Sequence, residues 1–321
     1  MGLKHVPTTR IENACSSGGA AFKEAYIAIA SGKYDLALVL GAEKMTDVDI
    51  GEATEILSMA GDDEHEGKLG MTFPGLFALM AQAYKEEYGY SGSEFRDILS
   101  SISKKNHRNG FHNDKAHFNT RMSIEESNNS KMIANPLRLA DCSPITDGAA
   151  ALVLAPSDKA EKYSDEPIDI EGFGHATDLL PIHLREDLSK SEATKQAAEE
   201  AYNMADVTPQ DIDFAEVHDC FTINEILALE GLDFFELGGA AEASKEGETN
   251  MEGKIPINPS GGLKAKGHPV GATGIGQIVE VVKQFRGEAE KERQVDSPDL
   301  GLTHNIGGAA VSCFVNIFSR R

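Results

Sequence analysis

Cys15 lies in a sequence context that favours a reactive thiol. It follows a segment with β-branched residues at positions 8–13 and precedes the small-residue run 16–19, after which residues 20–31 show the apolar spacing of a helix. A cysteine between a strand end and a helix start faces free backbone N–H groups and the positive end of the helix dipole, and both favour the thiolate. The same N–H groups can hold an oxyanion. The sequence therefore predicts that Cys15 is a covalent nucleophile.

Three other loops carry residues that can take part in chemistry. His218 and Cys220 stand two positions apart at the end of a predicted strand, and open α/β sheets bind ligands at the carboxyl ends of their strands. His268 lies in the glycine-rich segment 267–274, which matches neither a phosphate-binding loop nor the dinucleotide fingerprint. The third segment, residues 304–308, is a turn whose backbone N–H groups are free. These loops are the candidate partners of Cys15.

The elements that must position these loops alternate between strand and helix, which predicts an α/β fold of two related halves. Repeated Gly-Ala-Ala segments at 148–150 and 308–310, each beside an apolar strand, support the internal relation. The first half is expected at 1–156 and the second at 167–321, with the charged segment 157–166 between them. The stretch from about residue 43 to residue 147 is rich in polar residues and is interpreted as an inserted loop domain. It should contain local helices such as 76–88 and loop-like sequence at 106–119.

Apolar runs predict the buried strands of both halves. The strand at 34–41 should form a βαβ unit with the preceding strand at 8–13 and the helix at 20–31. The predicted strands are 8–13, 34–41 and 148–155 in the first half and 168–173, 214–218, 300–303 and 310–318 in the second. The predicted helices of the second half are 189–204, 222–231 and 277–286.

Composition excludes several classes of protein. The chain has 321 residues, 40% of them hydrophobic, but no apolar run of about 18 residues, so no membrane span is expected. The net charge of −22 opposes binding to nucleic acid and to anionic membranes. The four cysteines are too widely spaced for a disulfide framework or a metal site, which favours a reducing cytoplasm. The histidines at 107, 112 and 117 do not share a helix face, and no metal is expected.

The motifs together resemble the thiolase superfamily along the whole chain. The tetrad His-Asp-Cys-Phe at 218–221 is the most specific of them. It resembles the tetrad of sterol-carrier-protein-x type thiolases and archaeal acetyl-CoA acetyltransferases. The matching segments are Asn-Ala-Cys-Ser-Ser-Gly at 13–18, Met-Thr-Phe-Pro at 71–74, Asp-Gly-Ala-Ala at 147–150, His-Asp-Cys-Phe at 218–221, Gly-His-Pro at 267–269 and Gly-Ala-Thr-Gly at 271–274. The resemblance implies a five-layered αβαβα fold built from the two halves.

The resemblance also implies an acyl-CoA C-acyltransferase that works by Claisen condensation and its reverse, thiolysis, with CoA thioesters as substrates and no cofactor. Cys15 would accept the acyl group, and His268 would activate it and also help to hold the thioester oxygen. His218 matches the position that orients either a water of the oxyanion hole or the thioester oxygen itself. The backbone N–H groups of Cys15 and Gly307 would form the oxyanion hole of the acyl-enzyme. Better-known thiolases carry a second catalytic cysteine where this chain has Asn305, so Cys220 is expected to replace it as the base.

Further expectations follow from the same resemblance. The inserted loop domain would cover the pantetheine arm of CoA, and Ser260, Gly261 and Lys264 are candidate CoA-binding residues, with Lys266 as a further local cation. A homodimer or a dimer of dimers is expected. Hydroxymethylglutaryl-CoA synthase and a small zinc-ribbon/OB-fold protein are expected partners by analogy with archaeal relatives. The remaining cysteines, Cys142 and Cys313, are interpreted as packed structural residues.

The resemblance predicts an incomplete first half. Thiolases have two βα units ahead of the nucleophile's strand, whereas only 14 residues precede Cys15 here. A truncated chain is favoured over a degenerate homologue that folds with a partner or has lost activity. Two alternative functions stay open: a non-catalytic homologue that binds acyl-CoA or lipid, and a related condensing enzyme such as a ketoacyl synthase or a hydroxymethylglutaryl-CoA synthase.

Overall fold

The computed structural model describes residue 2 and residues 4–321. Its strands are β1 Ala37–Glu43, β2 Met132–Ala134, β3 Leu137–Arg138, β4 Gly148–Leu154, β5 Ile168–Thr177, β6 Phe214–Glu216, β7 Leu300–Gly307 and β8 Ser312–Arg320. Its helices are α1 Ser17–Ala30, α2 Ile50–Ser58, α3 Phe73–Glu87, α4 Gly92–Phe111, α5 Ile124–Asn129, α6 Glu192–Ala205, α7 Thr222–Gly231, α8 Ala240–Glu246, α9 Gly262–Lys266 and α10 Thr273–Phe285.

The first half is built from α1 and the antiparallel pair β1–β4, in which Ala37 lies opposite Leu154 and Glu43 opposite Gly148. The predicted helix at 20–31 is therefore present and begins three residues earlier. The prediction of a strand at 8–13 is wrong: these residues are mostly exposed, and the described contacts give them one isolated bridge between Asn13 and Cys15. A strand needs a neighbouring backbone to pair with, and no described strand lies beside them.

Strand β1 is covered on one face only. Val39 is 3% exposed and packs inward, whereas Leu38 and Leu40, which point the other way, are 50% and 46% exposed. The prediction that the apolar run is buried on both faces is thus wrong for the described residues, since α1 covers one face of the β1–β4 pair. The interpretation that this half lacks its initial strands stays a prediction.

The second half forms a four-stranded sheet in the order β5-β8-β7-β6. Strand β6 runs parallel to β7, and the other two pairings are antiparallel. The order α10, β7, β8 matches the order α1, β1, β4, because each helix is followed by two strands that pair antiparallel with each other. Helix α6 covers the outer face of β5 and β8 through Gly172 and Gly174, where side chains on the strand would overlap the helix backbone.

The inserted region is more helical than its composition suggests. Helix α4 extends to Phe111, so the expected loop-like character of residues 106–119 is wrong for the first part of that stretch. The polar residues that misled the interpretation are buried: Asn106 donates to Asp219 and Glu225, and Asn109 donates to the carbonyl of Asn258. Helix α4 is thus fastened to the second half by hydrogen bonds as well as by its apolar residues.

The main hydrophobic core joins helices α3, α4 and α7 to the sheet of the second half. A smaller cluster, which includes Phe22, Phe214 and Phe285, packs α1 and α10 against β6 and β8. None of the helices in the described residues is long and apolar enough to cross a membrane.

The contact between α6 and β5 leads to a stability prediction. A methyl group added by Gly174→Ala would overlap the carbonyl oxygen of Ala197, which belongs to rigid helix backbone. We expect the free energy of unfolding to fall by about 1–3 kcal/mol, measured as a lower midpoint in urea unfolding. Gly276→Ala is the matched control because it adds a methyl group to α10 with nothing within 4 Å, and it should leave the midpoint equal or raised. An unchanged midpoint in Gly174→Ala contradicts this packing of α6 on β5.

Candidate active site

Cys15 sits in a tight turn at the N-terminal end of α1. The amide of Ser16 donates to the carbonyl of Asn13 at 3.1 Å, and the hydroxyl of Ser17 donates to the carbonyl of Ala14 at 2.7 Å. Ala14 adopts the left-handed region with φ of 48°, which is uncommon for a residue with a side chain. The turn therefore places Cys15 directly before the N-cap residue Ser16, at the positive end of α1.

The N-terminal ends of α1 and α10 meet at glycines. A side chain on Gly18 would lie 2.9 Å from the backbone nitrogen of Gly274, so the two helices touch backbone to backbone. Asn305 of β7 fills the gap beside this contact. Its side-chain amide donates to the carbonyl of Cys15 at 3.1 Å, and its oxygen accepts from the amide of Gly19 at 3.2 Å. Three elements of the fold are thereby joined around the nucleophile.

This arrangement brings three predicted site residues together. One ligand-type atom each of Cys15, His218 and His268 lies within 4.8 Å of the other two. The two imidazole rings are 4.9 Å apart between centroids and stand at 87°, so one ring presents its edge to the other. His218 and His268 are buried, and Cys15 is half-buried. The site therefore has one sulfur nucleophile and two imidazoles in reach of a common substrate atom.

The orientation of His268 follows from its hydrogen bonds. Its Nδ1 lies 2.7 Å from the hydroxyl oxygen of Thr273, and that hydroxyl donates to the carbonyl of Pro269 at 3.0 Å. Since the threonine proton is already used, Nδ1 of His268 must donate, which leaves Nε2 with its lone pair. His268 can therefore accept the proton of Cys15. Thr273 was not identified from the sequence, although its position at the start of α10 marks it as a first-turn residue.

Burial keeps the thiol and the imidazoles neutral at rest. It raises the pKa of Cys15 to about 12, although the backbone N–H groups of Cys15 and Gly308 act in the opposite direction. Burial, with a smaller effect of Lys266, lowers the pKa of His268 to about 3. The backbone N–H groups favour the thiolate, but the loss of hydration outweighs them, so the neutral thiol is favoured at rest. The proton must leave Cys15 as the sulfur attacks.

Cys220 lies close to this group without being one of its three members. It is buried, and burial followed by the charge of a Cys15 thiolate raises the pKa of its thiol well above the usual value. Its neighbour Asp219 accepts from the amides of Leu263 and Lys264 and from the side chain of Asn106. Asp219 thus ties the loop that carries Cys220 both to the segment before His268 and to helix α4.

The backbone donor beside Cys15 is Gly308. The backbone N–H groups of Gly308 and of Cys15 itself both lower the pKa of the Cys15 thiol. Gly308 has φ of 64°, which a glycine adopts at little cost. The sequence pointed to the neighbouring Gly307, and the role of that residue as a donor stays a prediction. A pair of glycines in one turn was the available signal, but sequence alone does not say which amide points inward.

The candidate CoA-binding residues lie in the interior. Ser260 is fully buried and donates to Glu216, Gly261 is buried, and Lys264 is 2% exposed with its ammonium 3.5 Å from Nε2 of His107. Their burial therefore does not support the expectation that these three residues contact bound CoA. The nearby Lys266 pairs with the buried carboxylate of Glu216 at 3.4 Å.

The three evenly spaced histidines have separate partners. His107 approaches the carbonyl of Thr120, His112 lies beside Arg121, and His117 lies beside Thr146. In the residues that the structure describes, they form no group with ligand atoms close enough to share a metal ion. The remaining cysteines also differ from one another, because Cys313 is buried within β8 whereas Cys142 is half-buried.

The neutral resting state predicts how Cys15 reacts with pH. With its thiol pKa raised to about 12, the thiolate fraction should grow about tenfold for each pH unit between 7 and 9. We therefore expect the rate of iodoacetamide labelling at Cys15 to rise about tenfold for each of those units, followed by peptide mass spectrometry. The Cys15→Ser variant identifies the labelled site. A rate that is flat from pH 6 to 9 would indicate a thiolate–imidazolium pair and contradict a neutral resting site.

Comparison with known proteins places the chain in one family. Residues 1–158 match the family model described as "Thiolase, N-terminal domain", and residues 174–320 match "Thiolase C-terminal domain-like". Two solved structures share the fold. "Ltp2-ChsH2(DUF35) aldolase" has a TM-score of 0.83 at 21% identity and covers 96% of this chain and 78% of its own. A monomeric SCP2-thiolase like protein type 1 from Mycobacterium smegmatis has a TM-score of 0.73 at 19% identity over 96% and 61%.

The curated relatives are more similar in sequence. "Acetyl-CoA acetyltransferase" of Methanothermobacter thermautotrophicus is 48% identical over 99% of this chain and 82% of its own length. The protein of the same name from Methanocaldococcus jannaschii is 43% identical over 99% and 81%. "Sterol carrier protein 2" of Homo sapiens is 34% identical over 97% of this chain and 58% of its own length. With matches over nearly all of its length, the chain belongs to the thiolase family.

Proposed function

We propose that the protein is an acyl-CoA C-acyltransferase of the acetyl-CoA acetyltransferase type, acting through an acyl-Cys15 intermediate. The observation that carries the proposal is the cluster of Cys15, His218 and His268, whose reactive atoms lie within 4.8 Å of one another at the ends of two helices. Membership of the thiolase family and the 48% identity to an acetyl-CoA acetyltransferase support the same activity.

In the first step, the acyl group moves from CoA to Cys15. The thiol gives its proton to Nε2 of His268 while the sulfur forms a bond to the thioester carbonyl carbon. The carbon–sulfur bond to CoA then breaks, and the CoA sulfur takes the proton back from His268. Concerted transfer fits a thiol whose pKa is raised to about 12 and an imidazole that burial keeps neutral.

The negative charge that develops on the thioester oxygen needs donors in the same space. His218 lies beside Cys15 and His268 and is the expected side-chain donor. The backbone N–H groups of Cys15 and Gly308 face the sulfur, and with Gly307 they are the candidates for the oxyanion hole of the acyl-enzyme. The N-terminal ends of α1 and α10 add their positive dipole ends to these donors.

The second step forms or breaks the carbon–carbon bond between two acyl groups. In condensation, the Cys220 thiol first passes its proton to His268, which is free again once CoA has left, and the Cys220 thiolate then removes the α-proton of a second acyl-CoA. The resulting carbanion attacks the acyl carbon on Cys15, the carbon–sulfur bond breaks, and the released Cys15 sulfur takes the proton from His268. In thiolysis, the Cys220 thiol returns that proton to the leaving carbanion. The high pKa that burial gives Cys220 makes its thiolate a strong base, which suits a weakly acidic C–H bond.

The anionic end of CoA calls for a basic surface on this acidic protein. Residues 104–138 contain seven Lys or Arg and three Asp or Glu, although the whole chain has a net charge of −22. Lys104, Lys115, Arg121 and Lys131 of this segment are exposed. The guanidinium of Arg121 lies over the ring of Phe111, at 4.9 Å from its centroid. We propose this surface of the inserted region, in place of Ser260, Gly261 and Lys264, for the nucleotide of CoA.

Several finer expectations belong to the same proposal. A homodimer or a dimer of dimers, a cytoplasmic location and the absence of a cofactor stay predictions, as does association with hydroxymethylglutaryl-CoA synthase and a zinc-ribbon/OB-fold protein. One structural neighbour, the Ltp2-ChsH2(DUF35) aldolase, carries a DUF35 component in its name, which supports a search for a partner protein. The acyl chain length is open, and acetyl-CoA is the first substrate to test.

The acyl-enzyme can be detected directly. We expect incubation with acetyl-CoA to add one acetyl group to the protein, and peptide mass spectrometry should place it on Cys15. The Cys15→Ala variant should stay unmodified, while Cys313→Ala, which changes another buried cysteine, should be acetylated like the wild type. A folded wild-type protein that gains no acetyl group would favour a non-catalytic acyl-CoA-binding homologue.

Cys220 can be separated from Cys15 by testing the two steps individually. Cys220→Ala should still be acetylated on Cys15, since the first step uses His268, but its condensation rate should fall at least about 100-fold because the α-proton has no acceptor. Acetoacetyl-CoA formation and single-turnover acetylation measure the two steps. Condensation at the wild-type rate in Cys220→Ala would remove Cys220 from the mechanism, and Cys313→Ala again serves as the control.

A further inference from the structure

We infer that Asn305 is a positioning residue that fixes the tautomer of His218, so that the Nε2–H of this imidazole points into the site as a permanent hydrogen-bond donor. The inference rests on the proposed function for its catalytic meaning, but its structural part stands on hydrogen bonds that involve no substrate. Asn305 occupies the position at which the better-known thiolases carry a second catalytic cysteine. The structure gives this residue a role of its own.

The orientation of the Asn305 amide is determined by the backbone on both sides. The amide N–H of Gly19 can only donate, and it lies 3.2 Å from Oδ1. The carbonyl of Cys15 can only accept, and it lies 3.1 Å from Nδ2. Exchanging the oxygen and the nitrogen would place donor against donor and acceptor against acceptor. The nitrogen of Asn305 therefore faces His218.

The tautomer of His218 follows from that orientation. Nδ2 of Asn305 lies 3.1 Å from Nδ1 of His218 and can only donate to it. The backbone N–H of Ile306 points to the same ring nitrogen at 3.4 Å. Since Nδ1 of His218 accepts from two donors, it carries no proton, and the neutral ring must carry its proton on Nε2. Burial and the neighbouring His268, His304 and Lys266 hold the pKa of His218 well below its usual value, which keeps the ring neutral.

The backbone of His218 is held by a separate set of contacts. Its amide donates to Nδ1 of His304 at 3.3 Å, and Nε2 of His304 lies 3.0 Å from the hydroxyl of Thr194. The side chain of Asn224 donates to the carbonyl of His218. A substitution at Asn305 therefore leaves the backbone of His218 anchored but removes contacts to the Cys15 turn as well as to the ring. Two different substitutions at this position are needed to separate the two effects.

The two imidazoles of the site hence have opposite tautomers and different tasks. His268 donates through Nδ1 to Thr273 and offers the lone pair of Nε2, so it can accept the Cys15 proton. His218 offers a proton on Nε2 and has no free lone pair, so it can polarise the thioester oxygen but cannot act as the base. A nitrogen that carries a proton also cannot bind a metal ion, which opposes a metal site formed by Cys15, His218 and His268.

The experiment compares two substitutions at one position. In Asn305→Asp, a carboxylate of the same shape cannot donate to Nδ1 of His218 and instead accepts from it, so the ring proton should move to Nδ1. Single-turnover acetylation of Cys15 should then fall about 100-fold, the cost of losing one oxyanion donor. In Asn305→Ala, Ile306 still donates to Nδ1, so the tautomer should persist and the loss should be clearly smaller. Asn316→Asp buries the same carboxylate in β8, where the amide contacts Thr303, and should acetylate like the wild type.

The tautomer is read by nitrogen-15 NMR of labelled histidine, with His218→Gln to assign its signals. The expected wild-type spectrum shows a protonated Nε2 and an unprotonated Nδ1, and the expected Asn305→Asp spectrum shows the reverse. A wild-type Nδ1–H tautomer overturns the inference, and so does acetylation of Asn305→Asp within about threefold of Asn305→Ala. A wild-type protein that forms no acetyl-Cys15 counts against the proposed function alone, because the spectrum still tests the tautomer.

Discussion

Two helices can approach to backbone contact only where neither carries a side chain at the meeting point, and the active site depends on such an approach. Gly18 of α1 and Gly274 of α10 supply it. Because the helices meet at their N-terminal ends, the thiol of Cys15 and the imidazole of His268 emerge side by side, and both helix dipoles point at the same space. Asn305 then joins the turn of Cys15 to the strand β7. Any side chain at the glycines would separate the nucleophile from its base.

The same close packing determines the protonation of the site. Excluding water from Cys15 and His268 raises the pKa of the thiol and lowers that of the imidazole, although the backbone N–H groups of Cys15 and Gly308 act against the first of these shifts. The protein thereby avoids a buried ion pair at rest, which would require further hydrogen bonds to offset the loss of hydration. Charge appears only when a substrate supplies an oxygen that the donors can stabilise. The carboxylates of Glu43 and Glu12 add a smaller effect in the same direction as burial, since their negative charge also raises the pKa of the Cys15 thiol.

Much of this arrangement could be predicted from the sequence, and the failures have physical causes. The turn at Cys15, the His268 loop and the loop of His218 and Cys220 are local motifs, so their residue types were sufficient to identify them. The strand at 8–13 was mispredicted because strand formation depends on a neighbour that local sequence does not reveal. Helix α4 was underestimated because Asn106 and Asn109 look solvated in sequence but bond to buried partners. The role of Asn305 depends on three partners distant in sequence, and spacing carries no information about them.

The inserted region contributes none of the three clustered side chains, although it contacts the loops that carry Cys220 and His268. The carbonyl of Ala60, just after α2, would lie 3.3 Å from a side chain on Gly308, so the inserted region lies against the turn that flanks Cys15 without supplying any of the three clustered side chains. Substitutions near Ala60 can therefore reshape the space beside Cys15 while the glycine contact and the two imidazoles stay unchanged. Substrate range is thus free to evolve, or to be engineered, at positions where the chemistry imposes little constraint.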